Sequence, residues 1–227
     1  MSAEPLLEAI DVHKRFGATP ALDGLSLAIG GGEIVAVLGP SGSGKSTLLL
    51  CLAGILLADD GAVHYRGRSL AELSDGVRTR LRRDEFGFVF QFGQLVPELT
   101  ALDNVSLPLR LAGLTRRAAI ARADEALARL AIDDVRDKRA GEMSGGQGQR
   151  VAVARALASG PRVIFADEPT GSLDSANGEV VMELLVAAAR DQGASVILVT
   201  HEPQIAAYAD REVVVRDGRL AEVAAMT

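Results

Sequence analysis

Five apolar residues, Ile34 to Leu38, run directly into Gly39-Pro40-Ser41-Gly42-Ser43-Gly44-Lys45-Ser46, and an apolar stretch from Leu48 to Ala58 comes next. A short apolar run with β-branched residues reads as a strand covered on both faces, and the segment beginning at Ser46 reads as a helix. The intervening pattern, G-x-x-x-x-G-K-[ST], is the phosphate loop, and it lies between strand and helix as its mechanism requires. Its glycines let backbone N–H groups converge on phosphate oxygens, while the helix start directs its unpaired amides and positive dipole end at them. Lys45 adds a mobile point charge. One such pair at ~4 Å and an effective dielectric of ~20 is attracted by roughly 4 kcal/mol before desolvation, more than a neutral hydrogen bond contributes. Ser46 offers a hydroxyl to Mg²⁺ and Thr47 a contact to a nearby phosphate oxygen. The bland alternative is a Gly/Ser-rich turn capped by Ser46. The full motif in its proper context favours nucleotide binding.

Along the chain the apolar period switches repeatedly between strand-like and helix-like, which predicts an α/β fold. Strands are expected at Leu25 to Ile29, Ile34 to Leu38, Gly87 to Phe90, Val163 to Ala166, Ser195 to Thr200 and Val213 to Arg216, with a hairpin turn at Asp217-Gly218. Helices are expected to begin at Ser46, near Arg116, near Gln147 and near Asn177. In the second of these, Ile120, Ala123, Leu127 and Leu130 share an inward face. Between Pro97 and Glu142 no β-rich run occurs, so this stretch reads as a helical insertion into an alternating fold.

A second chemical feature stands after the strand Val163 to Ala166, where Asp167 and Glu168 emerge together at its C-terminal end, the edge at which open α/β sheets bind ligands. Alone, such a pair reads as surface residues or helix caps. Beside a phosphate loop, Asp167 suits Mg²⁺, held directly or through water, and Glu168 suits orientation or deprotonation of an attacking water.

The composition narrows the setting. The 227 residues are 48% hydrophobic, enough for a substantial core. A single cysteine, Cys51, provides neither an internal disulfide nor a zinc cluster, which points to a reducing compartment. The segment Met1 to Asp11 lacks the basic and apolar regions of a secretory signal, and the longest apolar run is far short of the ~20 residues of a membrane helix. Lys+Arg 24 against Asp+Glu 30 gives a net charge of -6, which disfavours indiscriminate binding of nucleic acid or anionic lipid.

Met143-Ser144-Gly145-Gly146-Gln147 resembles the L-S-G-G-Q signature of ATP-binding-cassette (ABC) ATPases, and the other family motifs occur in order over nearly the whole chain. Gln91 matches the glutamine loop, Ser172-Leu173-Asp174 the D-loop, His201 the switch histidine and Phe16 the adenine-stacking aromatic. The resemblance implies a P-loop NTPase (RecA-like) core with a mostly parallel sheet, an N-terminal antiparallel β subdomain and an inserted α-helical subdomain. Within one ABC ATPase domain, residues 1–91 and 150–227 would form the core with the β subdomain, and 92–149 the helical subdomain. It implies ATP and Mg²⁺ as ligands, with Gly39 to Thr47, Ser144, Gly145, Gly146, Gln147, Asp174 and Phe16 contacting nucleotide. Lys45, Glu168, His201 and Gln91 would be catalytic, and Ser46, Gln91 and Asp167 would hold the metal. Two copies would sandwich two ATP molecules, each Ser144 segment reaching the other copy's nucleotide. Met143 in place of Leu is a small apolar swap, and Phe16 in place of Tyr keeps a stacking face. Gly148 is the larger departure, since Gly costs a helix up to ~1 kcal/mol relative to Ala.

Gly87 to Gln91, Leu95-Val96-Pro97, Asn104 to Leu109 and Ala166 to Gly171 resemble the lipoprotein-release and macrolide- or peptide-export branch, with cell-division cassettes close by. That implies an integral membrane permease partner and a peripheral place on the cytoplasmic face of the membrane, with Phe92, Leu95, Val96 and Leu99 as natural permease contacts. Two rival readings are a soluble ABC ATPase acting on nucleic acid, hinted at only by Arg78, Arg80, Arg82 and Arg83, and a P-loop kinase, in which Ser144 to Gln147 has no role.

Overall fold

The computed structural model describes residues 4–221. In chain order the elements are β1 (Leu7–Phe16), β2 (Thr19–Ile29), β3 (Ile34–Leu38), α1 (Lys45–Leu52), β4 (Asp60–Tyr65), β5 (Arg68–Ser69), α2 (Asp75–Glu85) and β6 (Phe86–Phe90). They continue with α3 (Ala101–Leu111), α4 (Arg116–Arg129), α5 (Gly145–Leu157), β7 (Val163–Asp167), α6 (Ser175–Gln192), β8 (Ser195–Val199), α7 (Pro203–Ala206), β9 (Arg211–Arg216) and β10 (Arg219–Ala221). The chain forms two compact units. One comprises the described residues up to Arg82 together with those from Ser195 onward, and the other is Arg83–Ala194.

In the first unit β3 lies between β8 and β9 and runs parallel to both. Ile34 to Val37 of β3 and Val196 to Val199 of β8 are buried, as the uninterrupted apolar runs require of strands covered on both faces. β10 pairs antiparallel with β9 through the two-residue turn Asp217-Gly218, both at positive φ, the I′ geometry that a D-G pair favours. Beside these strands stands an antiparallel sheet in the order β2-β1-β4-β5. The expected strand Leu25 to Ile29 is the last part of β2, in which Leu25, Leu27 and Ile29 turn inward and Ser26 and Ala28 outward. β1 is hidden in the sequence because charges interrupt its alternation and its register against β2 shifts three times.

α2 buries no residue, and two of its arginines bond backbone carbonyls. Arg82 donates to the Gly54 carbonyl at 2.8 Å and Arg78 to the Leu73 carbonyl. These bonds account for two members of the basic cluster without nucleic acid.

The second unit pairs β6 with β7 in parallel, Phe90 opposite Asp167, and packs α5 on β6, with α3, α4 and α6 against α5. The helices start where side chains cap them: Thr100, Thr115, Ser144 and Asp174 each accept from an amide of the first turn. α6 ends at Gly193, whose φ of 64° permits the left-handed cap. On α4, Ala123, Leu127 and Leu130 are buried as expected and Ile120 is half-buried. Arg83, a third member of the basic cluster, pairs with Asp84 at 2.6 Å. Residues 97–142 are helical as predicted, though the compact unit is wider and includes β6, β7 and α6.

Phe165 anchors this unit. Its ring meets Phe86 edge-on at 5.1 Å and stacks on Phe88 at 5.4 Å, with no exposure. Phe165→Ala leaves a cavity and is expected to cost about 3–5 kcal/mol, read as a fall in the urea midpoint at an unchanged slope.

Candidate functional site

In the first unit the chain leaves β3 and must reverse into α1 within six residues. Gly39 has φ 150° and Gly44 φ 105°. A Cβ on Gly39 would stand 2.2 Å from the Val215 carbonyl, and one on Gly44 2.3 Å from that of Ala21, so no side chain fits at either position. Lys45 is 8% exposed and donates to the carbonyls of Gly39 and Pro40 at 2.8 Å each, which draws its ammonium over the loop. The Ser43 hydroxyl is buried without a hydrogen-bond partner. α1 has Gly44 as its N-cap and no side-chain cap bond, unlike α3 to α6. Its first-turn amides are therefore available to an anion. An orphaned buried hydroxyl, an uncapped helix start and a lysine folded over the turn fit a phosphate group.

The loop is buttressed from behind by the β9–β10 hairpin. The Gly218 amide donates to the Ser43 carbonyl at 2.9 Å, and the Asp23 amide to the Gly218 carbonyl at 2.9 Å. His201 comes after β8 and is exposed, at the same strand edge as the phosphate loop, since β3 and β8 are parallel neighbours. Phe16, 54% exposed, ends β1. Asp59 secures the approach to it: Lys14 Nζ and the Arg15 amide donate to its carboxylate at 2.6 and 2.7 Å, and its own amide donates to the His13 carbonyl at 2.8 Å. The Lys14 bond, with help from the Arg15 amide, holds the Asp59 carboxyl below the usual aspartate pKa.

In the second unit Gln91 succeeds β6 as Asp167 and Glu168 end β7. Gln91 Nε2 donates to the Gly171 carbonyl at 3.2 Å, and the Ser172 hydroxyl donates to the Gln91 carbonyl at 2.7 Å. Glu168 adopts φ 49°, a left-handed conformation that costs a non-glycine residue energy and clusters at working sites. Ser144 caps α5 through a capping box: its Oγ accepts from the Gln147 amide at 3.3 Å, and its own amide donates to Gln147 Oε1 at 3.0 Å. The Gln147 carboxamide thus holds Ser144 and leaves the first-turn amides to Gly145 and Gly146. A Cβ on Gly146 would lie 2.9 Å from Asn177 Oδ1, and Asn177 is in turn held by both Asp174 oxygens at 2.8 and 3.0 Å. Donation from the Asn177 amide and then its side chain keeps the Asp174 carboxyl below its ordinary pKa. A cavity of about 360 Å³ lies beside the signature, with Phe92, Gln94 and Leu95 on one wall and Met143, Ser144 and Gly148 on another. Phe92 is 77% exposed.

Three polar residues set into the helical packing have roles that the sequence does not disclose: Asn104, which bonds the Val96 amide and the carbonyls of Val96, Leu99 and Thr100; Gln149, which donates to the Phe90 carbonyl; and Arg155, which donates to the carbonyls of Gly93 and Gln94. Polar residues on otherwise apolar helix faces were the available signal.

A phosphate loop on a parallel strand, two carboxylates at a strand end and a capped S-G-G-Q helix define a nucleotide-handling P-loop cassette. The family profile described as ABC transporter matches residues 22–171. The macrolide export ATP-binding/permease protein MacB of Shigella flexneri is 46% identical over 220 residues, 95% of this chain and 34% of that protein. The lipoprotein-releasing system ATP-binding protein LolD 2 of Caulobacter vibrioides is 45% identical over 204 residues, 90% of each chain. Among solved structures, the dimeric post-hydrolysis state of the cassette MJ0796 bound to ADP and Pi superposes with a TM-score of 0.88 at 38% identity, covering 95% of this chain and 97% of that one. cbiO1 of Clostridium perfringens gives 0.87 at 32% identity, covering 96% and 87%. The chain belongs to the ABC transporter family, as an ATPase cassette of the type that LolD, MacB and cbiO1 represent. It spans about a third of the length of the MacB relatives. No helix among the described residues is long and apolar enough to cross a membrane.

Because the Gly44 position admits no Cβ, Gly44→Ala is expected to weaken ATP binding at least tenfold in calorimetry while far-UV circular dichroism is unchanged.

Proposed function

We propose that this cassette binds ATP with Mg²⁺, that two copies close around two nucleotides, and that closure drives a separate integral membrane permease of the lipoprotein-release and macrolide-export kind from the cytoplasmic face of the membrane. The observation that carries the reading is the presence of two anion receptors in one chain: the uncapped start of α1 in the first unit and the Gly145-Gly146 start of α5 in the second. One nucleotide per chain leaves the second receptor for a partner copy's phosphate, and the dimeric form of MJ0796, at 38% identity and a TM-score of 0.89, supports that arrangement.

In this mechanism Lys45 and the amides of Gly39 to Thr47 hold the phosphates, and Phe16 stacks on adenine. Ser46, Asp167 and Gln91 offer hydroxyl, carboxylate and carboxamide oxygens, the hard donors that Mg²⁺ prefers, and the bound ion supplies neutralisation of phosphate charge. Glu168 takes a proton from, or orients, the attacking water. His201 contacts the γ-phosphate, and Gln91 positions the water and carries the nucleotide state to Phe92 and Leu95, where the permease sits. From the partner copy Ser144, Gly145 and Gly146, oriented by Gln147, close on the same γ-phosphate, with Asp174 shaping the contact. The names of the MacB and LolD relatives support the permease and its membrane setting, and the -6 charge gives no support to a nucleic-acid partner.

Glu168→Gln is expected to bind ATP and accumulate as a dimer with Mg-ATP in sedimentation velocity, whereas Lys45→Ala neither binds nor dimerises. A Glu168→Gln protein that stays monomeric at high concentration overturns the sandwich. Mixing Ser144→Arg with Lys45→Ala protein is expected to restore one composite site per heterodimer, detected as recovered hydrolysis. No recovery argues against sharing between copies.

A further inference from the structure

Near the end of α5, Arg155 is held by main-chain oxygens. Its guanidinium donates to the Gln94 carbonyl at 2.8 Å and the Gly93 carbonyl at 2.7 Å. No carboxylate pairs with it among the described residues, and burial lowers its pKa from the ordinary arginine value. A partly buried charge without a counter-ion is costly, and an apolar side chain would fill the same space more cheaply. What the guanidinium adds is a rigid planar fork whose two nitrogens hold consecutive carbonyls at a fixed spacing and in one plane, whereas an ammonium on its flexible stem is a point charge that fixes no such plane.

Those carbonyls belong to the turn that Gln91 and Phe92 begin. Gly93 and Gln94 both have positive φ, 64° and 45°, so the turn is in a conformation that needs external support. A second tie to α5 is Gln149, 2% exposed, whose Nε2 donates at 3.0 Å to the carbonyl of Phe90, just ahead of the turn. Nearer the helix start the cavity lined by Phe92, Leu95, Met143 and Ser144 separates the turn from the signature. Two polar side chains of α5 therefore make hydrogen bonds to this segment, and a helix transmits displacement along its axis as a rigid element.

We propose that Arg155 is a positioning residue that binds the Gln91–Gln94 turn to the signature helix, so that Gln91 and Ser144 to Gly146 shift together when a partner presses on Phe92. The proposal rests on the functional reading above for what those two groups touch, but the mechanical linkage itself is testable without nucleotide.

The test uses Arg155→Lys, which keeps charge and reach but loses the fork, with Arg155→Met as the packing control. In hydrogen–deuterium exchange of the nucleotide-free protein, Arg155→Lys is expected to speed exchange at least fivefold both in residues 91–96 and in 144–148, with residues 163–167 unchanged. Acceleration confined to 91–96, or none, overturns the linkage. A merely structural role predicts a general loss of protection, including β7, and also overturns it. In the Glu168→Gln background, Arg155→Lys is further expected to raise the Mg²⁺ concentration for half-maximal ATP-driven dimerisation at least fivefold, with ATP affinity in EDTA within twofold of the parent. An unchanged Mg²⁺ requirement counts against the proposal. Failure of the Glu168→Gln parent to dimerise overturns the functional reading, and the exchange experiment then decides the linkage alone.

Discussion

A phosphate group is held in a fold like this by main-chain amides, and amides converge only if the backbone takes conformations that side chains forbid. At Gly39 and Gly44 the surrounding carbonyls leave no room for a Cβ, and the helix beyond them has no side chain capping its first turn. The positive end of α1 is thereby kept for an external anion. Much of the first unit serves that geometry: β3 is flanked by two parallel strands, its residues are sealed from solvent, and Ser43 is tied to the hairpin behind it.

The second unit solves a related problem by the opposite means. There the helix starts are capped, and the S-G-G-Q sequence uses its last residue to complete the capping box on its first, which fixes Ser144 and leaves two glycines at the mouth of the helix. Gly146 is needed because Asn177, itself held by Asp174, occupies the space beside it. The D-loop and the signature are therefore in contact within one chain. Polar contacts of this kind are demanding, since each unsatisfied member would cost more than the bond contributes.

Sequence and structure agree best where a motif is short and its geometry local. The phosphate loop, the apolar strands β3, β7 and β8 and the Asp217-Gly218 turn could be read from residue order, because each depends on neighbours within a few positions, whereas the place of Gln91 beside the β7 end comes only from the pairing of β6 with β7. β1 and β4 could not, because their alternation is broken by charges and register shifts that only pairing resolves. The arginines of α2 gave the one hint of nucleic acid, whereas Arg78 bonds the nearby Leu73 carbonyl and Arg82 the Gly54 carbonyl far back in the chain. The capping of Ser144 by the Gln147 carboxamide is a role that only the start of α5 discloses. Arg155 and Gln149 were invisible for a different reason: a polar residue on an inward face acquires meaning only once its acceptor is known.

The hairpin behind the phosphate loop has a consequence for biosynthesis. Ser43 and Gly39 leave the ribosome well before the Gly218 amide that Ser43 bonds and the Val215 carbonyl that closes the space beside Gly39. A nascent chain would carry a recognisable glycine-rich hinge long before that hinge could acquire its backing. The backing of the loop thus waits on synthesis of the β9–β10 hairpin.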